Sequence, residues 1–512
     1  MGTLWRHAPR VIPGKGAMAM ALLEEAAKHY GTVRGYVDGE WVESSGGERL
    51  EVMNPATDEP IAQVPLAEAG EVDQVVGAAQ GAYQEWRETP PMVRARYLFR
   101  LKEVMEGNYE PLARVIAQEN GKIIDEARGE VRRTIENIEV ATGITSLMKG
   151  YNLEDGAAAG IDEEAIRQPL GVFTAICPFN FPAMVPVWFW PYAVACGNTY
   201  IVKPSERVPV TQMKMFELIE EADFPPGVIN MIHGGAETAA ALIAHPDVKG
   251  VSFVGSTPVA RKVYALAGEH GKRAQCQGGA KNLLVVMPDA DLDRATPNIL
   301  SSAFGTAGQR CLAGPIVVAV GDAYPGIRDR LVAAASEITL GYGLDESVQM
   351  GPVISRASQQ RSLDYVEQGL SAGAELLLDG RAPAAPGYEK GYFVGPTIFD
   401  RVTPEMTIAR DEIFGPVLCL MRVETLAEAI ALINASPFGN AASIYTRNGG
   451  AAREFRYHVN VGNIGVNIGI AAPMAYFPFG GQKASFFGVL HGQGGDCIDF
   501  FTDRKVVITR WL

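Results

Sequence analysis

Cys311 stands in Gly308-Gln309-Arg310-Cys311-Leu312-Ala313, a glycine-punctuated stretch with a cation beside the thiol. The thiolate is the reactive form of cysteine, and nearby positive charge or a helix N-terminus favours it, so this text is compatible with a nucleophile. Taken by itself the hexapeptide reads more readily as a buried structural thiol. Asn180 lies in Pro178-Phe179-Asn180-Phe181-Pro182. The two prolines stiffen that loop and remove backbone donors, and a side-chain amide held there can stabilise a developing oxyanion. An asparagine capping a turn is the plainer reading of the same residues. Gly255-Ser256-Thr257 closes a strand and opens a helix, an arrangement that offers backbone N–H groups to a phosphate. No GxGxxG fingerprint accompanies it. Lys203 and Glu206 follow another strand, where open α/β sheets bind ligands. A carboxylate there accepts from a ribose 2′-hydroxyl and disfavours a 2′-phosphate, which points to NAD; a solvated Lys–Glu pair is the plain alternative.

These residues need elements to position them. Tyr36 to Val42 reads as a hairpin turning at Asp38-Gly39. Apolar residues recur at helical spacing over 71–86, 95–112 and 121–148. Beyond Pro169 short apolar strands (171–176, 199–202, 228–232 and 251–254) alternate with helical text, and a second alternation over 282–461 has strands near 283–286, 316–320 and 417–421. That alternation is the mark of parallel sheets with crossover helices, so two α/β domains are expected. The uncharged run 181–202 is long enough to span a bilayer. Pro182, Pro186, Pro191 and the turn Gly197-Asn198-Thr199 break it, and a buried helix followed by a buried strand fits better. The β-branched strand 505–509 has no hairpin partner nearby and must pair with a distant segment or another subunit; an ordinary edge strand is equally compatible.

The 512 residues suffice for two or three domains, with 47% apolar and 20% charged residues in an ordinary globular balance. Acidic residues outnumber basic ones, 59 to 45, for a net charge of -14, which argues against nucleic-acid binding. Six scattered cysteines, none in a CxxC pair, argue against a disulfide scaffold at this size and lack zinc-ligand spacing, so most are expected to be buried reduced thiols of a cytosolic protein. Residues 1–23 carry Arg6, Arg10 and Lys15 without an acidic residue, a faint likeness to a transit peptide, and read best as a loose extension.

In combination and order these motifs change the odds given to each. From about Gly35 to the C-terminus the chain resembles the aldehyde dehydrogenase superfamily. The matching text is Asn180 in Pro-Phe-Asn-Phe-Pro, Lys203 in Val-Lys-Pro-Ser-Glu, Gly255-Ser256-Thr257, Cys311 in Gly-Gln-Arg-Cys, Glu412 in Glu-Ile-Phe-Gly-Pro, and Pro478-Phe479-Gly480-Gly481. The resemblance implies an aldehyde dehydrogenase-like α/β fold of two Rossmann-like domains plus a small β oligomerisation arm. It divides the chain into an extension (1–33), an NAD-binding domain (34–145 and 167–276), a catalytic domain (277–486) and the arm (146–166 and 487–512). It implies a nucleophile at Cys311 and oxyanion donors from Asn180 and the Cys311 N–H. It places NAD on Phe179, Lys203, Glu206, Gly255, Ser256, Glu412 and Phe414. A homodimer or homotetramer, with the tail strand pairing across subunits, follows by analogy with the family.

One departure from the family pattern matters more than the matches. Hydrolytic members carry Glu-Leu-Gly-Gly-Lys, whose Glu takes a proton from water; here Gln277-Gly278-Gly279-Ala280-Lys281-Asn282 aligns. Gln277 cannot act as a base, so water attack on a thioester is expected to be slow. Coenzyme A, a thiol, attacks a thioester with less help. The region resembles the CoA-acylating, methylmalonate-semialdehyde dehydrogenase branch, to which Val286-Met287-Pro288-Asp289-Ala290 and Thr509-Arg510-Trp511 also fit. Gln277 replaces that branch's Asn, and 468–481 is only broadly similar to it. The branch takes 3-oxo acids and implies substrate-binding arginines at Arg310 and Arg133, the latter with its register blurred by Arg132. The rival readings are a hydrolytic dehydrogenase with another base, and a non-catalytic binding protein on the same fold.

Overall fold

The computed structural model describes residues 29–512; of the expected extension at 1–33, residues 1–28 lie outside them, and Tyr30 and Val33 bond to Ile61 and Gln63 of the strand Glu59–Pro65. Two sheets carry the architecture. The first has eight strands, in the order Glu40–Val42, Gly35–Val37, Ile229–Met231, Thr199–Lys203, Val172–Ile176, Val248–Val254, Arg273–Gln277 and Phe486–Phe487. Its five central strands run parallel, and the hairpin at one edge and Phe486–Phe487 at the other run antiparallel. The chain winds outward from Val172–Ile176 in both directions, so a topological switch lies between that strand and Val248–Val254, the place where open α/β sheets bind ligands. These strands read as continuous apolar runs because helices cover both faces.

The second sheet has seven strands: Glu375–Leu378, Thr397–Asp400, Val417–Val423, Ile316–Val320, Leu283–Val286, Ala441–Tyr445 and Asn463–Val466. All neighbours are parallel except the first pair. The chain passes from one sheet to the other in the few residues between Gln277 and Leu283. A third sheet is antiparallel, with Ile161–Pro169 between Tyr151–Leu153 and the tail strand Thr502–Arg510. The tail strand therefore finds its partner far away in its own chain.

The hairpin turns as expected, with Asp38 and Gly39 both in the left-handed region that a two-residue turn demands. The expected helix over 95–112 is in fact two, Pro91–Gly107 and Tyr109–Asn120. Asn108 leaves helical geometry between them, and its side-chain amide donates back to the Val104 carbonyl, a local bond that competes with helix continuation. The uncharged run forms short helices Met184–Val187 and Trp190–Cys196 before the strand Thr199–Lys203. Among the described residues no helix is long and apolar enough to cross a membrane.

Candidate active site

A cavity of about 750 Å³ opens at the carboxyl ends of the first sheet's parallel strands, where Ile176, Lys203 and Val254 terminate. Phe179, Asn180, Glu206, Gly255, Ser256, Cys311, Glu412 and Phe414 line it as well. Nine residues singled out from sequence, scattered over more than 230 positions, thus share one wall.

At one end the Lys203 ammonium, buried, donates to the carbonyls of Gly234 (2.5 Å) and Pro204 (2.9 Å) and lies 3.8 Å from Glu206. Burial holds its pKa below the usual range, against the pull of Glu206. Ser256 is the N-cap of helix Thr257–Glu269, and its hydroxyl makes no capping bond. The hydroxyl and the first-turn N–H groups of Thr257 and Val259, Pro258 having none, therefore face the cavity end where an anion can bind. Phe179 and Phe414 meet edge to face at 5.8 Å, and Phe414 holds a left-handed φ of 59°. The Glu412 carboxylate accepts from the Ala280 N–H at 2.8 Å. A Cβ on Gly279 would sit 2.4 Å from that carboxylate, so only glycine allows the approach. Burial raises the Glu412 pKa, opposed by the Ala280 N–H, Arg361 and Lys281. An open phosphate cradle at a helix N-terminus, a buried cation beside a carboxylate and a second carboxylate at the far end fit a dinucleotide in shape and charge.

At that far end Cys311 is half-buried. Its carbonyl accepts from Asn282 Nδ2 (2.9 Å) and Asn440 Nδ2 (2.8 Å), which fixes the nucleophile's backbone. Upstream, Thr306 and Ala307 take left-handed φ values of 51°, uncommon for residues with a Cβ. Glu126 holds that strained turn by accepting from the Thr306 N–H (2.8 Å) and hydroxyl (3.3 Å). Asn180 Nδ2 donates to the Gln309 carbonyl at 3.1 Å, so its amide faces the nucleophile's loop.

The expectation that Arg310 activates the thiol needs correction. Burial first and Glu412 second push the Cys311 pKa up to about 12, against weaker help from the N–H groups of Cys311 and Leu312 and from Arg310. The guanidinium is turned elsewhere: Nη2 donates to Glu126 at 2.6 Å and Nε to Thr306 Oγ1 at 3.0 Å. Arg133 does not line the cavity. It contacts Glu136 (3.2 Å) and the Met474 sulfur (2.6 Å), 28% exposed. Arg133 follows Glu126 by seven positions on helix Ile124–Thr142, two turns along the same face, so the helix relates the two arginines without bringing them into contact. Gln277 also lies outside the main cavity. Its Nε2 donates to Asn440 Oδ1 (3.0 Å), the same Asn440 that holds the Cys311 carbonyl.

Sequence reasoning missed Glu126, Glu130, Lys122, Asn282 and Asn440. The spacing of Glu126, Glu130 and Arg133 at i, i+4 and i+7 in a helix with buried apolar neighbours was the available signal for the first two.

The sequence signature described as "Aldehyde dehydrogenase family" matches residues 41–507. The chain belongs to the aldehyde dehydrogenase family. Among its relatives, malonate-semialdehyde dehydrogenase 2 of Geobacillus kaustophilus is 51% identical over 94% of this chain and 99% of its own. Among solved structures, this family member resembles methylmalonate-semialdehyde dehydrogenase of Oceanimonas doudoroffii, with TM-score 0.92, 44% identity and coverage of 94% and 98% of the two chains. It also resembles a candidate methylmalonate-semialdehyde dehydrogenase of Sinorhizobium meliloti solved with NAD, with TM-score 0.93, 41% identity and coverage of 95% and 99%.

Proposed function

We propose that this aldehyde dehydrogenase oxidises malonate or methylmalonate semialdehyde through a thioester on Cys311 and passes the acyl group to coenzyme A, with loss of CO2. The products are acetyl-CoA or propionyl-CoA and NADH. The observation that carries the acyl acceptor is position 277. A neutral amide hydrogen-bonded to Asn440 stands where a hydrolytic enzyme keeps its base, and the described residues lining the cavity offer carboxylates only at Glu206 and Glu412. The relatives' names support the substrate class.

In this reading the Cys311 sulfur adds to the aldehyde carbon, and the carbonyl electron pair moves to oxygen. Asn180 Nδ2 and the Cys311 N–H receive that oxyanion, exchanging the resting bond to Gln309 for a charged acceptor. Lys203 and Glu206 would hold the adenosine ribose of NAD, Gly255 and Ser256 its pyrophosphate and Glu412 the nicotinamide ribose, with Phe179 and Phe414 beside the ring; NAD would supply the hydride acceptor. Collapse of the oxyanion releases a hydride, which bound NAD would accept, and leaves the thioester; the substrate carboxylate then departs as CO2, the carbon it leaves takes a proton, and the thiol of coenzyme A attacks the thioester carbonyl and expels Cys311 as thiolate. Arg310, its Nε and Nη2 already committed, offers its remaining edge to the substrate carboxylate, with Arg133 two helical turns away. A bidentate guanidinium suits that group. The chain acts as a cytoplasmic homodimer or homotetramer.

Turnover measured with and without coenzyme A, assaying acyl-CoA and CO2, tests the proposal. Free acid formed at full rate without coenzyme A overturns it. Glu412 gives the hydrolytic alternative its one specific support, because it is the cavity carboxylate that acts on the Cys311 sulfur. CoA-independent acid production that Glu412→Gln abolishes while the NADH burst and NAD affinity persist would establish that alternative.

A further inference from the structure

The Pro178–Pro182 loop has no regular hydrogen bonding of its own, yet it must aim one amide. Side chains from 120–130 grip it. Asn120 Nδ2 donates to the Phe179 carbonyl (2.9 Å) and Lys122 Nζ to the Asn180 carbonyl (2.7 Å). Lys122 also pairs with Glu130 at 2.6 Å, and both side chains are fully buried. The other oxygen of Glu130 accepts from the N–H groups of Ala183 (2.8 Å) and Met184 (3.1 Å). The Lys122 ammonium sits 4.2 Å from the centre of the Phe181 ring. Gly121 makes the arrangement possible. It ends helix Tyr109–Asn120 at a left-handed φ of 88°, and a Cβ there would come within 2.7 Å of Pro55, so the chain turns sharply enough for residues 120 and 122 to reach one loop.

A buried ion pair is expensive to desolvate and often no more stabilising than apolar residues of the same size. Its retention beside a catalytic loop needs another reason. We propose that Lys122 and Glu130 are positioning residues: together they clamp the backbone at Asn180 and just beyond it, at Ala183 and Met184, and so hold the Asn180 amide where the oxyanion forms. The clamp touches neither Cys311 nor a residue assigned to the cofactor, so it acts on one half of the oxyanion site alone. This inference rests on the oxyanion role given to Asn180 above.

Lys122→Met alone strands a buried carboxylate and is prone to misfold. The decisive variant is therefore the charge-free pair Lys122→Met/Glu130→Gln, made in the full chain with and without Asn180→Ala. The readouts are the NADH burst rate with aldehyde, NAD affinity, the rate of Cys311 alkylation and the thermal midpoint. Asn180→Ala should slow the burst by about 10²-fold or more, the usual loss for one oxyanion donor. The pair variant should slow it by about 10- to 100-fold, as misplacement does, with NAD affinity, alkylation and midpoint near wild type. Added to Asn180→Ala, the pair variant should slow it no further. A wild-type burst from Asn180→Ala sinks the oxyanion role and the clamp with it. A slow Asn180→Ala beside a wild-type pair variant sinks the clamp alone. Losses that multiply in the triple variant, or a pair variant that no longer folds, overturn the clamp in favour of a purely structural role.

Discussion

Cys311 rests as a thiol, because burial and the Glu412 carboxylate outweigh the cation next to it in sequence. Alkylation of the free enzyme should therefore speed up steadily, about tenfold per pH unit, from about pH 7 to about pH 10. A plateau near pH 7 would show a thiolate already formed. Glu412→Gln removes a negative neighbour and should speed alkylation at a fixed pH; an unchanged rate would remove Glu412 from the thiol's electrostatics. The residues that line the cavity were legible because each stands at a strand end or in a Gly/Pro-punctuated loop, where local text announces exposed chemistry. Arg310 misled, because adjacency in sequence says nothing of where a long side chain turns: its partner, Glu126, lies 184 positions away. Lys122 was silent for the same reason, since its meaning depends on a carbonyl 58 residues distant.

At the scale of elements, strands were more legible than helix boundaries. Leu283–Val286 and Ile316–Val320 fall where the apolar runs lie. The break at Asn108 was not visible, because helical apolar spacing continues through it. Another helix end carries a pH prediction. Glu119, fully buried, caps helix Pro209–Glu221 by accepting from the N–H groups of Val210 (2.6 Å) and Thr211 (2.9 Å) and from the Thr211 hydroxyl (2.7 Å). Desolvation nonetheless raises its pKa from 4.5 to about 7. A carboxyl with a raised folded pKa holds its proton longer folded than unfolded, so it contributes most at acidic pH and that contribution falls as pH rises from about 4.5 to about 7. Thermal midpoints of wild type and Glu119→Gln across that window check this: the wild type should lose ground relative to the variant as pH rises. A constant gap would refute it.

For the molecule as a whole, the third sheet carries a run of exposed apolar side chains. Its strands stack Tyr151, Ala165 and Val506 in one row and Leu153, Glu163 and Ile508 in the next. Tyr151, Leu153, Val506 and Ile508 are each at least 60% exposed. A contiguous apolar patch of that kind marks a contact surface. Val506→Glu/Ile508→Glu should lower the assembly's mass in light scattering while sparing the NADH burst, whose residues lie in another sheet's cavity. An unchanged mass would place the contact elsewhere.

The six cysteines divide sharply. Cys196, Cys276, Cys419 and Cys497 are sealed inside and Cys177 is buried in the cavity wall, only 7% exposed, whereas Cys311 is half-buried and reaches the cavity surface. Since burial pushes the pKa of Cys177, Cys196 and Cys276 up to about 12, as it does for Cys311, acidity cannot be what tells them apart; access is. An iodoacetamide reagent should therefore leave a single adduct per folded chain. The mass increment of that adduct turns the protein into its own ruler, reporting how many chains in a preparation carry a usable centre.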